Sequence, residues 1–214
     1  MRGVFVSVAL LSLSLAFQGQ TPTQTRETLS ATLYSAAISN VSPSWVKQFL
    51  IVRSTVPYAR TDLGFLVDPD LLLSDSEASQ RYAQASSKAE KHKALHDELC
   101  NAVPDADRDA YVSAIRDYLR VNQNSINLDV PVSLPQPYRF LSDDEVLTFT
   151  HDPNLQTTAS IFWVSVIGFS RDMNLGLVYV RRDAYAWGGS AGLYAFKQQN
   201  GKWQLASSFC PNKS

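Results

Sequence analysis

From Ile161 onward the chain alternates apolar, β-branched and aromatic runs with short polar turns. Ile161 to Phe169 and Leu175 to Val180 flank the polar stretch Ser170 to Asn174. The run Leu193-Tyr-Ala-Phe196 meets the next across Asn200-Gly201, a pair suited to the positive φ angles of a tight hairpin. This pattern predicts a C-terminal antiparallel β-meander. It constrains the fold far more than the function, because no group of residues has the types and spacing that a known reaction requires. The reading therefore favours a non-catalytic binding or interaction module over an enzyme, with no cofactor.

Upstream, the periodicity is mostly helical. Leu29, Leu33, Ala37 and Ile38 recur at helical spacing and predict a helix ending near Asn40. The β-branched run Val46 to Thr55 predicts a strand that stops at Pro57. Ser74-Asp-Ser-Glu77 has the layout of a capping box and opens a predicted helix to about Val103, largely polar all round and broken by Pro104. A further helix is expected from Asp105 to Val121, with Val112, Ile115 and Leu119 as its apolar face and Asp105, Asp107 and Asp109 favouring its N-terminal dipole. Ile126 to Pro135 alternates apolar and polar residues, but its prolines cannot donate ladder bonds, so it belongs at a sheet edge or outside the sheet. Ser142-Asp-Asp-Glu145 is a second capping box, opening a short helix with Val146, Leu147 and Phe149. The fold class is α+β: one domain over residues 25–214, its β-meander packed against helices from the N-terminal two thirds.

The N-terminal end predicts export. Met1-Arg2, the apolar run Val4 to Phe17 and the small residues Ser14 and Ala16 have the layout of a signal peptide over residues 1–16, followed by a polar linker over 17–24. The apolar run is short for a membrane anchor, and no later segment is long and apolar enough to span a bilayer. A secreted or periplasmic location is expected, with no stable membrane anchor after cleavage. Lys and Arg total 19 against 20 Asp and Glu, without a basic run, which argues against nucleic acid as a partner and leaves a small ligand or a protein. Cys100 and Cys210 are the two cysteines, and in an oxidising compartment they are expected to form a disulfide. It would close a loop of roughly 110 residues, worth about 4 to 5 kcal/mol in the chain-entropy model. Two unpaired thiols are the alternative.

Several residues invite a chemical reading. Gly188-Gly-Ser-Ala-Gly192 matches G-x-S-x-G, the elbow that exposes a serine nucleophile on a strand-to-helix turn. A hydrolase using Ser190 is thus one alternative, but a strand pattern follows it, and neither Asp nor His lies downstream to complete the usual order. The simpler account is a glycine-rich reversal between strands. His92 and His96 lie four apart on the predicted polar helix and could share a metal ion. Lys93 stands where a zinc protease needs its general base, and a solvated helix face explains the pair equally. Asp143, Asp144 and Glu145 suit a first helical turn without acid-base chemistry. Arg181-Arg182-Asp183, at the end of a strand, could bind a small anion or form an exposed ion pair. Tyr185, Trp187 and Tyr194 surround the glycine-rich loop and are the candidate binding residues, with core and rim packing as the alternative.

Taken in order, Leu33-Tyr-Ser-Ala-Ala-Ile38, Phe49 to Thr55, Asn122 to Leu128, Tyr138 to Glu145, Val166-Ile-Gly-Phe169, Leu177-Val-Tyr-Val180 and Asn200-Gly-Lys-Trp203 resemble a group of uncharacterised exported bacterial proteins. The resemblance spans most of the chain after the signal peptide. It implies export and an α+β fold, and it brings no established activity. Members of that group often carry paired cysteines around the glycine loop, whereas Ala184 to Ala191 has none here.

Overall fold

A computed structural model describes residues 25–61, 105–149, 158–184 and 188–213 of the 214. The predicted signal peptide and linker, the helix from Ser74 to Val103 with His92, His96 and Cys100, and His151, Tyr185 and Trp187 lie outside the described residues. Among those described, three α-helices accompany a seven-stranded sheet that is mostly antiparallel, an α+β architecture.

Helix α1, Arg26–Val41, starts where Thr25 Oγ1 accepts a hydrogen bond from the Thr28 amide at 3.3 Å, an N-cap that satisfies one exposed donor. Leu29, Leu33, Tyr34, Ala37 and Ile38 form its buried stripe. A 3-10 turn at Asp105–Asp107 leads into helix α2, Arg108–Val121, whose buried residues are Tyr111, Ala114, Ile115 and Tyr118. The expected stripe through Val112 and Leu119 is thus displaced by one residue, since both are only partly buried. Tyrosine explains the displacement. Its ring buries a large apolar area while its hydroxyl needs only one polar contact, as Tyr111 makes with Ser207 Oγ at 3.1 Å. Helix α3, Asp143–Phe149, has the predicted capping box: the Ser142 amide donates to Glu145 Oε2 at 2.7 Å, and the Glu145 amide to Ser142 Oγ at 3.3 Å.

The strands are β1 (Gln48–Val52), β2 (Tyr138–Leu141), β3 (Ala159–Val164), β4 (Gly168–Phe169), β5 (Leu175–Ala184), β6 (Gly188–Gln199) and β7 (Lys202–Lys213). They run in the order β2-β1-β3-β5-β6-β7, with β4 also pairing with β5. The closing meander β5-β6-β7 is antiparallel, as the sequence predicts, and β6 turns into β7 through Asn200 (φ 51°) and Gly201 (φ 74°). Positive φ at both central residues is what a type I′ hairpin requires.

Two features depart from the expected meander. First, the strand expected over Val46 to Thr55 is present as β1, but it lies inside the sheet, parallel to both β2 and β3. Second, the run from Ile161 to Phe169 is not one strand. It pairs with β5 as β3 and again as β4, with a break at Ser165 to Ile167. Side chains satisfy the backbone there: the Val166 amide donates to Asn122 Oδ1 at 2.7 Å, Asn122 Nδ2 donates to the Val166 carbonyl at 2.8 Å, and the Tyr34 hydroxyl donates to the Ser165 carbonyl at 3.0 Å. The extended stretch from Ile126 stays outside the named strands apart from one bridge, Asn127 to Ser54, while burying Leu128 and Val132 in the core.

Strand alternation gives the sheet two apolar faces. On one, Phe49, Phe162, Val178, Val180, Tyr194 and Phe196 pack with the buried stripe of α1. On the other, Leu175, Leu177, Tyr179 and Leu193 cluster with α2, while Leu50, Val52, Leu141 and Ile161 cluster with Phe149 of α3. These two clusters are separate, and the ground between them is polar.

Candidate functional site

The segment Arg181-Arg182-Asp183 is divided by the alternation of β5. Arg181 and Asp183 project to the α2 and α3 side, where Arg181 Nε and Nη2 reach the Asp183 carboxylate at 3.2 and 2.6 Å. Arg181 also lies over the Trp163 ring, 5.0 Å from its centroid. Arg182 projects to the α1 side, in a row with Phe162 of β3 and Ser190 of β6.

Arg182 has no side-chain hydrogen bond and no ion pair among the described residues, and its Nε is buried without a partner. Burial lowers its pKa from the ordinary arginine value, partly offset by the field of Tyr194 and of Asp183. Tyr194 is itself only 7% exposed and packs in the core beside α1. Burial raises its phenol pKa, and the positive charge of Arg182 opposes the shift. Between Ser190 and Tyr194 on this face stands Gly192, opposite Val180, with no side chain to separate Arg182 from the phenol.

The G-x-S-x-G match falls inside a strand. Gly188 to Gly192 are all paired with β5, and Ser190 sits opposite Arg182 there and opposite Lys213 on β7. The strand runs on to Gln199 and then into a hairpin. A nucleophile elbow needs a sharp strand-to-helix turn, and Ser190 is not on one. Of the three candidate binding residues, Tyr194 is placed in the core, while Tyr185 and Trp187 fall outside the description. Cys210 lies in β7, and its expected partner Cys100 is also outside.

A second polar feature lies on the opposite face, in the gap between the α2 and α3 clusters. It is a cleft of about 300 Å³ lined in part by Ser54, Arg60, Asp143, Trp163, Tyr179 and Arg181. Ser54 Oγ donates to Asp143 Oδ1 at 2.5 Å, fixing the first residue of α3 to the chain just after β1. Sequence reasoning does not single out Arg60 or Trp163, because neither belongs to a motif and only the pairing of β1, β3 and β5 brings them together.

No group of His, Cys, Asp and Glu with the geometry to hold a metal ion occurs among the described residues. No helix among them is long and apolar enough to cross a membrane. Comparison with protein-family models, curated proteins and solved structures returned no match.

Proposed function

We propose that this protein is an exported binding module that takes a small anionic ligand at the Arg182, Ser190 and Tyr194 end of β5 and β6. The observation that carries the reading is the half-buried guanidinium whose Nε is buried without a hydrogen-bond partner and which makes no ion pair among the described residues. A desolvated charge without a partner costs free energy, and such groups in folded proteins ordinarily find a carboxylate or other acceptor. A ligand carboxylate would supply the missing acceptor, and the planar guanidinium suits a planar carboxylate in a two-bond fork. Ser190 and Tyr194 add hydroxyls on the same face of the sheet. In this reading Ser190 is a hydrogen-bonding residue and the glycines around it keep the approach open.

Export, the Cys100 to Cys210 disulfide and the kinship with exported bacterial proteins belong to the same proposal. They rest on the N-terminal pattern, the even cysteine count and the quoted segments. Thiol titration of denatured, unreduced protein addresses the disulfide, and two free thiols would remove it.

The ligand site is tested by calorimetric titration with acetate, benzoate and inorganic phosphate. Saturable binding of a carboxylate is expected in the parent, loss in Arg182→Met, and weakening in Arg182→Lys, which keeps the charge without the fork. Equal binding in parent and Arg182→Met would defeat the proposal.

A further inference from the structure

We infer that the cleft between the α2 and α3 clusters is a second, separate site, for a small zwitterion of the α-amino acid type. Three elements converge on it with complementary chemistry. Arg60 closes the 3-10 turn Tyr58–Arg60 after β1, is exposed, and makes no ion pair or side-chain hydrogen bond among the described residues. Asp143, at the start of α3, uses Oδ1 to accept from Ser54 Oγ, and its other oxygen makes no bond among those residues. Trp163 of β3 lines the cleft with an indole already held against Arg181.

The other charge in the cleft, Arg181, is engaged by Asp183 in a two-bond pair. That leaves one positive and one negative group facing a common space. A ligand carrying a carboxylate and an ammonium matches both, whereas a simple anion or a simple cation satisfies one and meets repulsion from the other. The volume of about 300 Å³ is at the lower end for ligand pockets and favours a molecule of amino-acid to dipeptide size. Val56 and Pro57 on the cleft wall, with the indole, offer apolar surface for a side chain. The cleft is on the opposite face of the sheet from Arg182, so the two sites stand or fall separately.

The probe is L-phenylalanine, compared with N-acetyl-L-phenylalanine, which lacks the ammonium, and L-phenylalanine amide, which lacks the carboxylate. Binding is read by saturation-transfer NMR and isothermal titration on the full chain after signal removal. The free amino acid is expected to bind about tenfold more tightly than either derivative, the size of one charge-assisted hydrogen bond. Arg60→Met should erase the preference over the amide, and Asp143→Asn the preference over the acetyl derivative. Asn keeps an oxygen for Ser54, so the local structure is retained. Arg182→Met, which removes any carboxylate binding on the other face, should leave the Arg60-dependent and Asp143-dependent preferences unchanged. No binding of the free amino acid at 10 mM (about the weakest affinity such a probe can report), equal binding of the three compounds, or indifference to Arg60→Met and Asp143→Asn would each overturn the inference.

Discussion

Asn122 grips Val166 from both sides of its peptide unit: Oδ1 accepts from the Val166 amide at 2.7 Å, and Nδ2 donates to the Val166 carbonyl at 2.8 Å. The same Nδ2 donates to the Tyr118 carbonyl at 2.9 Å, so a fully buried side chain both ends α2 and replaces the ladder bonds lost where β3 breaks from β4. The break is therefore a built feature, and at Val166 it is held by one side-chain amide.

Asn122→Ala removes the partner of the Val166 amide and the Nδ2 bonds to the Val166 and Tyr118 carbonyls, the latter keeping its bond from the residue 122 backbone amide at 3.1 Å. Leaving a buried polar group unmade costs about 1 to 3 kcal/mol, and a total loss of about 3 kcal/mol is expected. Asn124→Ala, at an exposed position nearby, should stay within about 0.5 kcal/mol of the parent. Denaturant midpoints of the two variants check this.

Asp117 joins three parts of the fold, accepting from Arg26 at 2.7 Å, from the Phe169 amide at 2.8 Å and from Arg120 at 2.5 Å. Burial alone would raise its carboxyl pKa, but hydrogen bonds from Arg26, the Phe169 amide and Arg120 outweigh it and hold the pKa below the ordinary value of 3.8. A carboxyl depressed on folding contributes stability that is fully present above its unfolded pKa and is lost as pH falls through its folded pKa. Asp117→Asn should therefore be less stable than the parent at neutral pH, with the gap narrowing as pH drops below about 3.8. Urea melts across pH 2.5 to 7 (roughly the window over which carboxylates titrate) would show a constant gap if Asp117 were an unperturbed surface group.

Gly168 and Gly201 are glycines for different reasons. A Cβ at Gly168 would press on the backbone of Tyr118, whereas at Gly201 nothing lies within 4 Å and only the positive φ of 74° resists substitution. Gly168→Ala should cost about 3 kcal/mol by overpacking a rigid helix-to-strand contact. Gly201→Ala should cost about 1 kcal/mol, the strain of a left-handed residue. Thermal melts that rank them in the opposite order would contradict this account.

The parts of the fold legible in the sequence were those encoded locally. Capping at Ser142 and Glu145, the helical spacing of Leu29 to Ile38 and the Asn200-Gly201 turn each involve residues a few positions apart, and each stands where the pattern puts it. The position of β1 between two parallel partners was not legible, since parallel pairing joins segments distant in sequence and leaves no turn signal. Tyr138–Leu141 is too short for its period to register as a strand. At the candidate site, Arg181-Arg182-Asp183 was readable as either an anion site or an ion pair. The ion pair forms between Arg181 and Asp183 on one face while Arg182 turns to the other, because neighbouring strand residues face opposite ways, and only the pairing with β3 and β6 decides what each face meets.

The central claim is that the guanidinium of Arg182 is kept uncompensated for a ligand. Thermal unfolding of the parent and of Arg182→Met, with and without a carboxylate that saturates the parent, tests it most directly. Replacing an unpartnered, half-buried charge by an apolar chain of similar length relieves its desolvation. The ligand-free variant should match or exceed the parent in stability, and only the parent should gain stability from the carboxylate, in proportion to the logarithm of its concentration. An Arg182→Met protein less stable than the parent by more than about 1 kcal/mol, together with no carboxylate-dependent gain in the parent, would mark Arg182 as structural and contradict the claim.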